Sequence, residues 1–542
     1  SEMCIRDSYK MLGYDFRATA SWNHVFNDIH ITNFFAGTEI NSTDRSKNYY
    51  QGWGMQYSMG EIPYYVYEFF KKGIEDGNNY YSLSQTRSRS AAFFANATYS
   101  YKGRYTVNGT ARYEGTNRMG KSRSARWLPT WNVSGAWNAH EEKFFSNLTS
   151  VLSHFTLKAS YSLTADRGPA DVTNSQAIIT SYSPYRPFTS IQESGLYIKE
   201  LENSELTYEK KHELNIGADM GFLNNRINLA VDWYKRNNYD LIGIVNTQGA
   251  GGQILKYANI ASMKSHGIEF TLSTKNIKTK DFNWNTDFIF SNAKNEVTDL
   301  KQNANVMELI SGNGFAKQGY PVRGLFSIPF VGLDKDGIPV IINEKGEATS
   351  TDIDFQERQN TGFLKYEGPT DPTITGSLGN MFSYKGFRLN LFITYSFGNV
   401  IRLNPVFKAY YSDLTAMTRE FKNRWTLPGD EAKTNVPAIL SKRMYDSNED
   451  LKYAYNAYNY STERIAKGDF IRLKEISLAY DFPKAWINPL KLTDLSLKVQ
   501  ATNLFLIYAD DKLNGQDPEF FNAGGVASPV PRQFTITLRL GL

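Results

Sequence analysis

Alternation of apolar and polar residues with a period of two, repeated in segments joined by turns, most restricts what this chain can fold into. It is plainest in the ending, PRQFTITLRLGL. Phe534, Ile536, Leu538, Leu540 and Leu542 fall on one side of an extended chain, and Thr535, Thr537, Arg539 and Gly541 on the other. The apolar side of such a strand must be covered by a second protein layer or by lipid.

Composition narrows the choice. Aromatic residues make up 14% of the chain, yet hydrophobic residues overall reach only 41% and the mean hydropathy is −0.46. No run approaches the roughly 18 apolar residues of a membrane-spanning helix, whereas a membrane β-barrel needs apolar residues only at alternate positions. At 542 residues the chain is either several soluble domains or one large sheet. With 60 basic and 55 acidic residues and no basic stripe, nucleic acid is not implied. The single cysteine, Cys4, excludes a disulfide framework and a cysteine-based metal cluster. It lies in SEMCIRDS, residues 1–8, which fits no strand pattern and lacks the features of a signal peptide, and we read that octet as a non-native leader.

From residue 9 onward, paired alternating segments follow one another. Tyr14, Phe16, Ala18, Ala20 and Trp22 turn at Asn27 to Ile29 into a return strand; Ala91 to Tyr101 turns at Lys102 and Gly103 into Tyr105, Val107, Gly109, Ala111 and Tyr113. A strand through Trp131, Val133, Gly135 and Trp137 leads through EEKFFSNL, a helical turn or two, to one starting near His154. Leu214 to Met220 and Ile227 to Trp233 flank a turn suited to Asn224 and Asn225. Ile268 to Leu272 pairs with Trp284 to Phe290, and 373–384 with Phe387 to Phe397. The last strands are 469–482, 494–508 and 532–542; a slip of phase in the first predicts a β-bulge near Lys474 and Glu475.

About fifteen strands result, and their connections alternate between tight turns and long loops at 43–89, 168–205, 300–369, 404–466 and 509–531. That asymmetry predicts an outer-membrane barrel with short periplasmic turns and long extracellular loops. It also places Arg539 in the lumen, avoiding roughly 2 to 4 kcal/mol on the lipid face. The expected fold is therefore all-β, a transmembrane antiparallel β-barrel that the odd strand number marks as incomplete.

The stretches KKHELNIGADMGFLNNRINLAVDWYKRNNYDLI, SMKSHGIEFTLSTKNIKTKDFNWNTDFIFSNAKNEV, GSLGNMFSYKGFRLNLFITYSFG, GDFIRLKEISLAYDFP, LKVQATNLFLIY and VPRQFTITLRL occur in the order seen in SusC/RagA-type TonB-dependent transporters of Bacteroidota, which this chain resembles over most of residues 9–542. The resemblance implies a barrel of about 22 strands, of which these would be roughly the last fifteen. It further implies an N-terminal plug and a TonB-contacting segment outside this sequence, a SusD-like surface lipoprotein closing over the loops, an outer-membrane location, and TonB-driven import of oligosaccharides or peptides. Leu542 departs from relatives that end in an aromatic residue. Alternation and loops alone would also allow a passive porin, a surface adhesion barrel, or a soluble all-β carbohydrate-binding protein.

Nothing in the sequence points to an enzyme. His24, His30, His140, His154, His212 and His266 have no metal spacing, and no cofactor or metal is expected. GNGFAKQG at 312–319 does not join a strand to a helix, so a loop is favoured over a phosphate cradle, and LDKDG at 333–337 reads as a hairpin turn rather than a Ca²⁺ loop. Candidate ligand or lipoprotein contacts are the loop aromatics Trp53, Tyr57, Tyr64, Tyr65 and Tyr67, Tyr410 and Tyr411, and Tyr453, Tyr455, Tyr458 and Tyr460. Their rings could stack on sugars or peptide side chains, meet the lipoprotein, or form loop core.

Overall fold

The structure, a computed structural model, describes the chain except residues 1, 61, 65, 79, 170–176, 183–193, 248–254, 412–416, 522–530 and 542; for 2–6, 53–55, 57, 63, 75, 246, 255 and 490 it describes the backbone alone. Fifteen strands carry the fold: β1 (Glu2–Phe26), β2 (His30–Gln56), β3 (Tyr81–Tyr101), β4 (Tyr105–Thr116), β5 (Trp127–Asn138), β6 (Leu152–Asp166), β7 (Glu209–Phe222), β8 (Ile227–Asn246), β9 (Leu255–Lys278), β10 (Phe282–Leu300), β11 (Ile374–Tyr384), β12 (Phe387–Phe397), β13 (Phe470–Asp481), β14 (Asp494–Ala509) and β15 (Gln533–Gly541). Hydrogen-bonded neighbours follow chain order from β1 to β15. The chain divides into two compact units, Ser1–Ala136 with Ser160–Glu213 and Asn238–Ala261, and Trp137–Ala159 with Leu214–Asn237 and Ser262–Leu542.

In the first unit the register joins like with like. Trp22 lies opposite Phe34, Phe34 opposite Ala97, and Ala97 opposite Gly109, while Thr38, Phe93 and Tyr113 continue the same face. Trp22, Phe34, Phe93 and Val107 are all exposed, an outward apolar surface of the kind lipid covers. The other face is mainly polar and internally bonded, with Phe35 and Phe94 packed 5.7 Å apart among its charges and Arg17 over the Phe94 ring at 5.4 Å. Glu39 meets Arg17 at 3.4 Å and Arg112 at 3.7 Å, and Asn96 donates to Thr110 at 2.7 Å.

The second unit repeats the rule at its end. Ile536 faces Val499 and Leu538 faces Leu497, whereas Thr535, Thr537 and Arg539 face Gln500, Lys498 and Ser496. Arg539 thus shares the polar face, as alternation requires. Tight turns carry left-handed pairs, Asn27 and Asp28 at φ 51° and 55° and Lys385 and Gly386 at 45° and 93°, which match the twist of hairpin strands. The predicted bulge is present: Phe392 pairs with Glu475 and Ile393 with Leu473, leaving Lys474 as the extra residue.

Strand boundaries differ from expectation in several places. The connection expected over 43–89 is only 57–80, because β2 and β3 continue past their apolar stretch with polar residues on both faces, Asp44 meeting Arg87 at 2.8 Å. Residues 2–8 likewise belong to β1, with Ser8 opposite Asn48 and Tyr9 opposite Lys47. A ladder is held by backbone hydrogen bonds and can extend where side chains no longer alternate.

The connections 301–373, 398–469 and 510–532 are not bare loops. The first holds helix α2 (Val306–Ile310), the second α3 (Lys442–Ser447) and α4 (Leu451–Asn459), and the described part of the third a 3₁₀ turn at Asp511–Leu513, with α1 (Tyr67–Glu75) lying in the first unit. No helix among the described residues is long and apolar enough to cross a membrane. EEKFFSNL forms 3₁₀ turns, and LDKDG is a hairpin turn in which Asp334 accepts from the backbone of Asp336 and Ile338, Leu333 pairing with Pro339. The second unit's buried apolar clusters lie in these connections: Val306, Leu309, Phe326, Ile328 and Ile341 in one, Phe407, Phe421, Leu451, Tyr455 and Tyr458 in another, Ile401, Ala466, Leu513 and Phe521 in a third.

Candidate ligand-binding groove

The tyrosine-rich stretch LKYAYNAYN forms α4, with Tyr460 capping its end, and its spacing sets what each ring does. Leu451, Ala454, Tyr455 and Tyr458, at i, i+3, i+4 and i+7, form the buried stripe. Tyr458 stands edge-on to Phe407 and Phe330 at 5.0 and 5.4 Å, and Phe407 stacks on Phe421 at 4.9 Å. Tyr455 donates its hydroxyl to the Ala438 carbonyl at 2.6 Å. Burying rings of this size stabilises by about 1.5 to 3 kcal/mol each, which holds a short helix that propensity alone would leave marginal. Helix α3 starts where Ser441 accepts from the Met444 N–H at 3.3 Å.

The remaining face of α4 borders a cavity of about 580 Å³. Lys452, Tyr453, Asn456 and Tyr460 line it from the helix side, Pro405, Lys408 and Tyr410 from the preceding segment, and Tyr445 from α3. Tyr410 and Tyr445 stack at 6.1 Å and 21°. The segment bearing Lys408 is fastened through its backbone: Asn459 accepts from the Phe407 N–H at 3.0 Å and donates to its carbonyl at 2.8 Å, while the Tyr411 hydroxyl accepts from the Lys408 N–H at 2.7 Å and donates to the Val406 carbonyl at 3.0 Å.

Behind Tyr460 lies Arg402, buried, its guanidinium 5.9 Å from the ring. It donates to the carbonyls of Ser461 and Phe326 at 2.8 and 2.5 Å and to the Ser327 hydroxyl at 3.0 Å, tying three stretches of chain together. Burial presses its pKa down to about 9, still cationic at neutral pH. Burial raises the Tyr455 and Tyr458 hydroxyls above their ordinary range and that of Tyr411 to about 12, so all three stay protonated. The groove is thus a ring-lined surface with amide, hydroxyl and ammonium groups.

The predicted aromatics separate into distinct places. Tyr410, Tyr453 and Tyr460 come together at this cavity; Tyr455 touches its wall but at 1% exposed is core, as is Tyr458 at 2%, and Tyr411 packs edge-on against Phe421 at 5.2 Å. Tyr64 and Tyr67 are exposed in the first unit. Tyr65 and the side chains of Trp53 and Tyr57 lie outside the described residues. Lys408, Tyr445, Lys452 and Asn456 were not anticipated, although the 3.6-residue period of 451–459 separates Lys452, Tyr453 and Asn456 from the buried stripe.

The histidines do form local groupings that their spacing conceals. His140 and His154 have ring centroids 4.2 Å apart, and His212 stacks between Tyr161 and Tyr239 at 5.7 Å from each. Among the described residues no group of three or more His, Cys, Asp or Glu is placed to hold a metal ion.

Chain-ordered antiparallel strands with an exposed apolar face, short turns and long folded connections define an outer-membrane β-barrel protein. The chain belongs to the TonB-dependent receptor-like, beta-barrel family, whose profile matches residues 6–504. It is 26% identical to TonB-dependent receptor P39 of Formosa agariphila, over 98% of this chain and 53% of that protein, and 26% identical to TonB-dependent receptor SusC of Bacteroides thetaiotaomicron, over 88% of this chain and 47% of that protein. The RagAB peptide importer in its open-open state superposes with a TM-score of 0.78 at 21% identity, covering all of this chain and 56% of its own. The chain spans about half the length of the curated relatives it matches.

Proposed function

We propose that this chain supplies wall and external loops to an active importer of large nutrients, oligosaccharides or peptides, across the outer membrane. In this reading a SusD-like surface lipoprotein closes over the long connections, and TonB provides the energy through parts of the protein beyond this sequence. The observation that carries the reading is the tyrosine-lined groove built into the folded connections of a barrel of this family. A barrel that only conducts small solutes has no need of a packed external layer with its own core. The likeness to SusC and to the RagAB peptide importer supports the same class of activity.

The test is growth. A Bacteroidota strain lacking the gene should lose growth on one oligosaccharide or peptide source and regain it with the wild-type gene, and depletion of TonB should abolish the same uptake. Uptake that persists without TonB would establish a passive pore instead.

A further inference from the structure

We infer that the groove between α3, α4 and the 405–411 segment takes an anionic oligosaccharide, a glycan carrying carboxylate or sulfate groups. The inference rests on the import reading and narrows its substrate.

Charge comes first. Lys408 and Lys452 both line the cavity, and among the described residues no aspartate or glutamate does. Asp446, on the neighbouring helix, is engaged by Lys442 at 2.7 Å. Glu449 and Asp450 precede α4 without lining the groove. Behind the Tyr460 wall, Arg402 adds a third cation whose hydrogen bonds all go to neutral oxygens, Glu367 being the acid that faces it electrostatically. A neutral or cationic ligand would leave this imbalance unused.

The rings supply the second argument. Tyr410, Tyr445, Tyr453 and Tyr460 present flat apolar surfaces beside hydroxyls, which suits sugar rings with C–H faces and equatorial oxygens.

The backbone separates a glycan from an acidic peptide. An extended peptide commonly binds by pairing its main chain with an exposed edge. At this groove the Phe407 N–H and carbonyl are taken by Asn459, and the Lys408 N–H and Val406 carbonyl by Tyr411. With those four main-chain groups taken, the 406–408 stretch offers a ligand mainly side-chain chemistry, which reads rings and charges.

The experiment uses the full-length transporter that contains this chain, purified in detergent, with calorimetric titration of an oligogalacturonate, a sulfated galactan oligosaccharide, a neutral galactan oligosaccharide of equal length, and a poly-glutamate peptide. One or both acidic glycans should bind at least about tenfold more tightly than the neutral one and weaken as salt rises, since exposed ion pairs are screened. The two acidic arms distinguish carboxylate from sulfate. The double variant Lys408→Gln/Lys452→Gln should weaken that binding by about tenfold, and Lys408→Arg/Lys452→Arg should retain it. Both lysines are exposed, so neither pair removes core packing; unchanged heat-dependent electrophoretic mobility verifies the fold. Equal affinity for the neutral glycan, tighter binding of poly-glutamate, or an unaffected glutamine variant would overturn the proposal. TonB-dependent uptake of a neutral glycan with no acidic-glycan binding would sink it while leaving the importer reading intact.

Discussion

Arg472 on β13 donates from Nη2 to both carboxylate oxygens of Asp517 at 2.6 Å, with the two side chains only 6% and 8% exposed. Glu519 stands 3.3 Å from the same guanidinium. This pair fastens the 510–521 segment to a strand. Asp517→Ala should leave a buried cation without its main partner and destabilise that attachment by about 3 to 5 kcal/mol, whereas Arg472→Met/Asp517→Leu should cost far less. Limited proteolysis checks this: cleavage near 510–521 should rise sharply in the single variant and little in the double one.

Two tyrosines of one helix should behave oppositely. Tyr458→Ala removes a buried ring and should destabilise the folded connections by about 3 to 5 kcal/mol. Tyr453, 39% exposed at the groove, should lose less than about 1 kcal/mol of stability on truncation but weaken ligand binding. Thermal unfolding combined with ligand titration separates the two roles, and equal stability losses would contradict the helix faces described above.

On β15, Ile536 is 73% exposed on the apolar face while Arg539 lies on the polar one. Ile536→Arg should therefore destabilise the bilayer-inserted protein by about 2 to 4 kcal/mol if it sits near the midplane, and Arg539→Gln should leave insertion nearly unchanged. Urea-dependent folding into lipid vesicles measures both.

Asp430 anchors a turn by accepting from the Leu427 N–H at 3.0 Å and from the Thr426 hydroxyl and N–H at 3.0 and 3.2 Å. Those bonds, the Leu427 amide first, lower its pKa from an ordinary 3.8 to about 2. A depressed carboxyl stabilises fully above the unfolded value and loses that contribution as pH falls through the folded one. Protection of the Leu427 amide from hydrogen exchange should hold at pH 4 and above and fade between about 3.8 and 2, and Asp430→Asn should abolish that pH dependence.

The paired faces of β1 to β4, the left-handed turns at Asn27 and Lys385, and the bulge at Lys474 were legible in the amino-acid order, because a two-residue period and the φ preferences of Asn, Asp and Gly act between near neighbours. Family resemblance lay in the later strands, β7 to β15. Their ends were not legible: past Asn41 the polar residues of β2 no longer alternate, and only the ladder to β3 keeps that segment extended.

The groove depended on contacts that no local pattern encodes. Ile328 bridges to Ser461, Arg402 reaches back to Phe326, and Asn459 clamps Phe407, joining residues far apart in the chain. Four tyrosines of similar local context, 453, 455, 458 and 460, received different surroundings only when α4 turned one stripe toward Phe407 and Leu440 and left the other at the cavity. By itself, then, the sequence determined which faces of the strands meet lipid and where the chain turns. Only the tertiary structure decided which tyrosines are core, which lysines border the groove, and where the buried arginines find their partners, since burial in the long connections is set by long-range packing and not by periodicity.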